Sequence, residues 1–114
     1  MYNDMIEITV NALLDKKAYD IKALDITKLT SICDGFVIAS ASNKSQLDAL
    51  VDGVETAMYK NEYALIGREG RSEGGWILLD YGDIVVHLFS DEMREFYNID
   101  GSWRDADTIV VKGA

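Results

Sequence analysis

The sequence predicts an α/β fold, a mixed β-sheet packed with helices, in a single domain over residues 1–114. Two observations carry this. Apolar residues switch between helical and strand spacing in the order α-β-β-α-(β)-β-β-α. The composition also supplies a core: 48% of the 114 residues are hydrophobic. A chain of this size removes roughly 65% of its unfolded surface from water on folding, without needing disulfides.

The first element is a helix. Asn3 or Asp4 can cap it, Ile6, Val10, Leu13 and Leu14 recur at helical spacing, and Lys16 and Lys17 suit its C-terminal end. A strand follows over 19–26. Asp34-Gly35 then breaks the chain before Phe36-Val37-Ile38-Ala39, an uninterrupted apolar run typical of a strand covered on both faces. Residues 40–46 read as a loop ending in a cap, because Asn43 and Gln46, three positions apart, can satisfy free amides at a helix start. That helix runs to about Asn61, with Leu47, Leu50, Val51, Val54 and Met58 as its core stripe. A short strand is expected over 63–66. From Arg68 to Trp76, three glycines and four charges predict a mobile connection, since such residues are costly to bury. Two strands and a third helix complete the order. Ser90 can cap this helix, Asp91 and Glu92 favour its first turn, Met93, Phe96 and Tyr97 form its apolar side, and Asp100-Gly101 ends it. Trp103 lies in a polar stretch, where its indole needs a groove in its own domain or a partner.

Composition excludes several function classes. The formal charge is −9, from 20 acidic and 11 basic side chains. Binding DNA or an anionic membrane requires Lys and Arg gathered on one face, so neither is expected. A basic protein surface remains open as a partner. The charge is also uneven: residues 80–107 hold eight carboxylates against Arg94 and Arg104. No apolar run approaches the ~20 residues of a membrane span, and the N-terminal MYNDMIEITV lacks a basic secretory region, so a cytoplasmic protein is expected. The single cysteine, Cys33, suits a reducing compartment and reads as a small apolar residue rather than a nucleophile.

The most informative segment is WILLDYGDIVVHLF, residues 76–89, where two β-rich runs flank Asp80-Tyr81-Gly82-Asp83. A tight hairpin with Tyr81 and Gly82 in the turn sets Asp80 opposite Asp83, Leu78 opposite Val85 and Trp76 opposite His87. Ile77, Leu79, Ile84, Val86 and Leu88 then form an aliphatic core face. Trp76, Leu78, Asp80, Asp83, Val85, His87 and Phe89 form the other. Like charges opposed across a hairpin repel, so Asp80 and Asp83 call for a metal or a partner's Arg or Lys. Aromatic area beside unpaired charge also has the composition of an interface hot spot, although Trp76 and His87 could equally fill space under a helix.

Little here indicates chemistry. His87 with Asp80 and Asp83 is the one candidate metal cluster, and a metal needs three or four convergent ligands. No Gly-x-Ser-x-Gly elbow exists, and Cys33 adjoins Asp34 rather than a cation. The glycine tract over 67–75 lacks the Lys-Ser/Thr end of a phosphate loop and carries Glu69 and Glu73, which repel phosphate. No cofactor and no small-molecule substrate are therefore expected, and a protein-binding module is favoured.

DGFVIAS, a Ser/Asn-rich cap, EG, GGWILLDYGDIVVHLF, REFY and a Trp-x-Asp-Ala ending occur in this order over nearly the whole chain. This pattern resembles the RsfS/Iojap family of ribosomal silencing factors. The resemblance implies a nucleotidyltransferase-like fold without the enzymatic activity. It further implies binding to ribosomal protein fourteen of the large subunit, blockage of subunit joining, repression of translation, and a homodimer as in relatives. The contact residues it implies are Glu69 and Gly70, then Trp76, Asp80, Tyr81, Asp83 and His87 in the hairpin, and Arg94, Tyr97 and Trp103 beyond it. The chain departs from the family at Ile99-Asp100-Gly101-Ser102-Trp103, where relatives usually carry Leu-Glu-x-Leu-Trp. The alternative is a metal-dependent nucleotide-handling enzyme on the same fold. Against it, the carboxylate pair of such enzymes lies on one strand beside a Gly-Ser turn, whereas Asp80 and Asp83 straddle a hairpin.

Overall fold

The computed structural model describes residues 2–111, except for the side chain of Tyr2, so the outermost positions of the expected domain lie outside the described residues. The chain runs α1 (Tyr2–Asp15), β1 (Tyr19–Asp25), β2 (Gly35–Ala41), α2 (Lys44–Lys60), β3 (Gly67–Arg71), a 3₁₀ turn (Ser72–Gly74), β4 (Trp76–Asp80), β5 (Ile84–Ser90), α3 (Asp91–Tyr97), α4 (Ile99–Ser102) and β6 (Asp107–Thr108). The strands form one six-stranded sheet in the order β3-β4-β5-β2-β1-β6. β2 and β5 pair in parallel at its centre and the other neighbours are antiparallel. The predicted mixed α/β fold is the observed one.

Alternation along the strands divides the core in two. On one face, α1 and α2 bury Ile6, Val10, Leu13, Leu47, Leu50, Val54 and Met58 against Val37, Ala39, Ile77, Leu79, Val86 and Leu88. On the other, Leu24, Ile26, Phe36, Ile38, Val85, Phe89 and Ile99 cluster with Cys33. β2 lies between the two and is buried along its whole length, as its unbroken apolar run predicts. The start of α2 is capped as expected: Asn43 Oδ1 accepts from Gln46 N at 2.8 Å. Gln46 Oε1 reaches back to Ser42 N at 2.6 Å.

Three expectations are corrected. The segment 63–66 is not a strand. The strand instead lies within the tract read as a mobile connection, as β3. It pairs only with β4 at the sheet edge, where charges remain in water, and Gly, Arg and Glu there discourage pairing with another chain. Gly70 sits at φ +83°, and a Cβ there would lie 2.2 Å from the Trp76 carbonyl oxygen. This glycine is required by close backbone approach.

The third helix is likewise divided. Ser90 Oγ accepts from Met93 N as predicted, but the helix stops at Asn98, which is left-handed at φ 50°. Asp100 and Gly101 lie inside α4 rather than ending α3. An asparagine tolerates this conformation, so the stop signal is Asn98 rather than Asp100-Gly101.

The hairpin register is shifted by two residues. Leu78 opposes His87, Trp76 opposes Phe89 and Asp80 opposes Val85. Tyr81 N donates to Ile84 O at 3.0 Å and Asp83 N to Tyr81 O at 3.1 Å. Gly82 and Asp83 therefore make the turn, a γ-turn with Gly82 at φ +86°. A slip of two preserves both faces but moves Tyr81 out of the turn and onto the aliphatic core. Asp80 and Asp83 no longer oppose one another. Asp80 Oδ1 accepts from Gly82 N at 2.8 Å, an ordinary turn interaction, so the repulsion that called for a cation is absent.

Candidate partner-binding face

The sheet face opposite α1 and α2 is covered only in part, by α3, α4 and the residues after them. Where β3 and β4 extend beyond that cover, alternation brings Glu69 and Arg71 of β3 beside Leu78 and Trp76 of β4. Trp76 and Leu78 are half-buried. From Trp76 a run of rings crosses the face. Trp76 and Phe89 lie 5.9 and 6.0 Å from Tyr97, and Phe96 meets Tyr97 edge-on at 5.3 Å. Phe89 lies 6.1 Å from His87 with near-parallel rings, and Phe36 meets both His87 and Trp103 edge-on at 4.8 Å. Offset and edge-to-face rings at these separations attract and hold one another rigidly. Phe96 and Tyr97 nonetheless remain 75% and 51% exposed. That is large apolar area left in water on the expected apolar side of α3.

Carboxylates flank the rings. Asp34 N donates to Asp83 O at 2.8 Å, which brings Asp34, at the end of the loop before β2, beside the hairpin turn. Asp80 lies at the end of β4 on the ring-bearing face, and Glu69 lies on β3. Asp83 is exposed at the turn. Among the described residues, no three of His, Cys, Asp and Glu converge as metal ligands, so Asp80, Asp83 and His87 do not form the cluster considered above.

Beneath the face lies a buried polar anchor. Arg94, 8% exposed, donates from Nη1 to the Asp20 carbonyl at 2.6 Å and to Ser40 Oγ at 2.8 Å. Its Nε and Nη2 make a bidentate pair with Asp100 at 2.9 and 3.0 Å. Hydrogen bonds from Arg94, helped by Lys22 at 3.0 Å, hold the Asp100 carboxyl at about 2. One guanidinium thus ties α3 and α4 to β1 and β2. Tyr19 adds a second tie, donating to Asp91 Oδ2 at 2.7 Å, and burial followed by that carboxylate raises its phenol to about 12. His87 is buried among the rings, and among the described residues neither ring nitrogen has a hydrogen-bond partner. Desolvation lowers its pKa to about 4, so the imidazole is neutral at pH 7. Burial pushes the Cys33 thiol up, which leaves it a poor nucleophile.

The sequence-derived residues are therefore sorted by position. Trp76, Tyr97 and Trp103 belong to the ring-bearing surface, with Glu69, Gly70, Asp80 and Asp83 at its margin. His87 and Arg94 support that surface from beneath. Tyr81 is on the other side of the sheet, packed toward α2. The sequence did not bring Phe36 or Asp34 to this face, and it placed Phe96 only on the apolar side of α3. Phe36 shares a face with His87, a relation fixed only once β2 is known to pair with β5.

The whole described fold has counterparts. Residues 2–114 match the family described as ribosomal silencing factor during starvation. A ribosomal silencing factor RsfS from Halalkalibacterium halodurans is 31% identical over 110 residues, covering 96% of this chain and 94% of that protein. A mouse relative, named mitochondrial assembly of ribosomal large subunit protein 1, is 31% identical over 104 residues, 86% of this chain and 44% of that protein. A crystal structure of a Chromobacterium violaceum protein superposes with a TM-score of 0.88 at 29% identity, covering 100% of this chain and 94% of that one. With the motif order preserved and the family matched over nearly its full length, the chain belongs to the ribosomal silencing factor (RsfS) family.

Proposed function

We propose that this protein represses translation in the cytoplasm by docking its ring-bearing face on ribosomal protein fourteen of the large subunit, where its bulk blocks joining of the small subunit. The observation that carries this reading is the incompletely covered row of rings flanked by Glu69, Asp34, Asp80 and Asp83. It offers aromatic anchors to a partner's pocket and carboxylates to a partner's Lys and Arg. Steric exclusion needs no reaction, and no catalytic step is invoked. A homodimer is compatible with the same exposed rings, and it would compete with docking if it used them.

Sucrose-gradient profiles of mixed subunits provide the test. Added protein is expected to reduce the intact-ribosome peak and to comigrate with large subunits, and an unchanged peak at saturating protein would overturn the proposal. Trp76→Ala should weaken binding to the large subunit by about thirtyfold, because a central aromatic anchor is worth at least ~2 kcal/mol at ~1.4 kcal/mol per decade. Glu7→Gln, at an exposed position of α1 across the sheet from this face, should leave binding intact. Melting temperatures of the same variants separate lost contact from lost fold. The nucleotide-handling alternative requires a nucleoside triphosphate with magnesium to raise the melting temperature, and no such rise is expected.

A further inference from the structure

On the helix-covered side of the sheet, a cavity of about 480 Å³ opens between the C-terminal half of α2 and the segment leading into β3. Asp52, Glu55, Tyr59, Tyr63, Leu65 and Tyr81 line it. Tyr81 is only 5% exposed, yet its hydroxyl has no hydrogen-bond partner among the described residues. Burial, and then the field of the Glu55 carboxylate, raises this phenol to about 12, so it keeps its proton and can both donate and accept. The ring is buried while the hydroxyl opens onto the cavity, where a ligand can supply its partner.

The surrounding chemistry selects the ligand. Asp52 and Glu55 repel anions. Lys60 also lines the cavity, and Arg68 reaches Glu55 at 3.5 Å in a part-exposed pair of the weak, exchangeable kind. Tyr63, whose hydroxyl donates to Asp4 Oδ2 at 2.8 Å, brings a third carboxylate close to the rim. Aromatic faces beside carboxylates favour a cation whose carbon stem can lie on the rings. We propose that this cavity binds an organic cation, a guanidinium or ammonium group on an alkyl stem. Asp52, Glu55 and the Tyr81 hydroxyl hold the charged head, and Tyr59, Tyr63 and Leu65 pack the stem. The cavity lies across the sheet from the proposed docking face, so its test is independent of that reading.

The probe is n-butylguanidinium chloride, titrated into the full chain and followed by backbone amide chemical shifts. Saturable shifts are expected at residues 52–65 and 81. Tyr81→Phe, which keeps the ring and removes only the hydroxyl, should weaken binding by about tenfold, as loss of a hydrogen bond to a charged group does. The double variant Asp52→Asn, Glu55→Gln should abolish saturation. Acetyl-Gly-Arg-Gly-amide identifies the source of the cation: tighter binding than the free probe assigns the site to an arginine side chain of a protein, and equal or weaker binding assigns it to a free cation. The proposal is overturned if n-butanol produces the same saturable shifts, or if the double variant binds the guanidinium as well as the parent chain.

Discussion

Arg94→Ala is expected to destabilise the fold by about 2–4 kcal/mol, because it leaves the Asp20 carbonyl and the Ser40 hydroxyl without their donor, whereas Asp100 keeps Lys22 and part of its water. At this chain length about 4 °C is lost per kcal/mol, so the melting temperature should fall by about 8–16 °C. The effect is large because one side chain serves four acceptor atoms on three separated segments: the Asp20 carbonyl in β1, Ser40 in β2 and Asp100 in α4. Asp20 itself sits at φ 49°, in the strained left-handed region, where the β1–β2 register breaks, and the guanidinium holds that carbonyl in place. Arg94→Lys should recover only part of the loss, since an ammonium cannot make the bidentate fork. Thermal and urea denaturation measure both, and a loss below about 1 kcal/mol would show that α3 and α4 dock without this anchor. Acid acts on the same pair. Asp100 has a folded pKa near 2 against an ordinary 3.8, so its stabilisation is complete above about 3.8 and disappears as pH falls toward 2.

A second acid transition is expected at higher pH, from His87. In the unfolded chain the imidazole takes a proton near 6.5, whereas in the fold it does so only near 4. Between these values the unfolded state binds more protons. Stability is therefore fully present above about pH 6.5 and is lost as pH falls toward 4, by about 3 kcal/mol at ~1.4 kcal/mol per pKa unit. Among the described residues no compensating hydrogen bond opposes this, because neither ring nitrogen has a partner there. His87→Phe keeps a ring between Phe36 and Phe89 while removing the titration, so its stability should be flat over this window and no lower than the parent's at pH 7. Denaturant midpoints at pH 7, 6, 5 and 4.5 give the slope. An equal slope in His87→Phe would place the titrating group elsewhere.

The sequence reveals the sheet and its two faces because period and burial agree there. The stripe from Leu47 to Met58, the unbroken run of β2 and the alternation of β4 and β5 each bury one continuous apolar set. β3 was not legible because GREGR has no buried face to pattern. It is a strand through backbone pairing with β4 alone, and its side chains report only exposure. The hairpin register escaped for a different reason. Turns starting at Tyr81 and at Gly82 both conserve the two faces, and choosing between them depends on whether the tyrosine ring packs beside α2. Arg94 and Asp100 lie six residues apart across two short helices, so neither helical nor strand spacing joins them. The ring run combines local and distant neighbours: the observed hairpin sets Trp76 opposite Phe89, not His87 as the sequence suggested, whereas Phe36 and Trp103 lie far apart in the chain.

The parallel pairing of β2 with β5 sets the order in which a nascent chain can fold. Its partners run from Gly35↔Ile84 to Ala41↔Ser90, so the centre of the sheet joins segments that leave the ribosome far apart in time. Until β5 emerges, β2 has no partner on that side and α2 has only part of the surface it covers. Long-range parallel pairing is intrinsically slow and leaves apolar strands open to association. Truncation before Ile84 should therefore yield aggregation rather than a smaller folded unit.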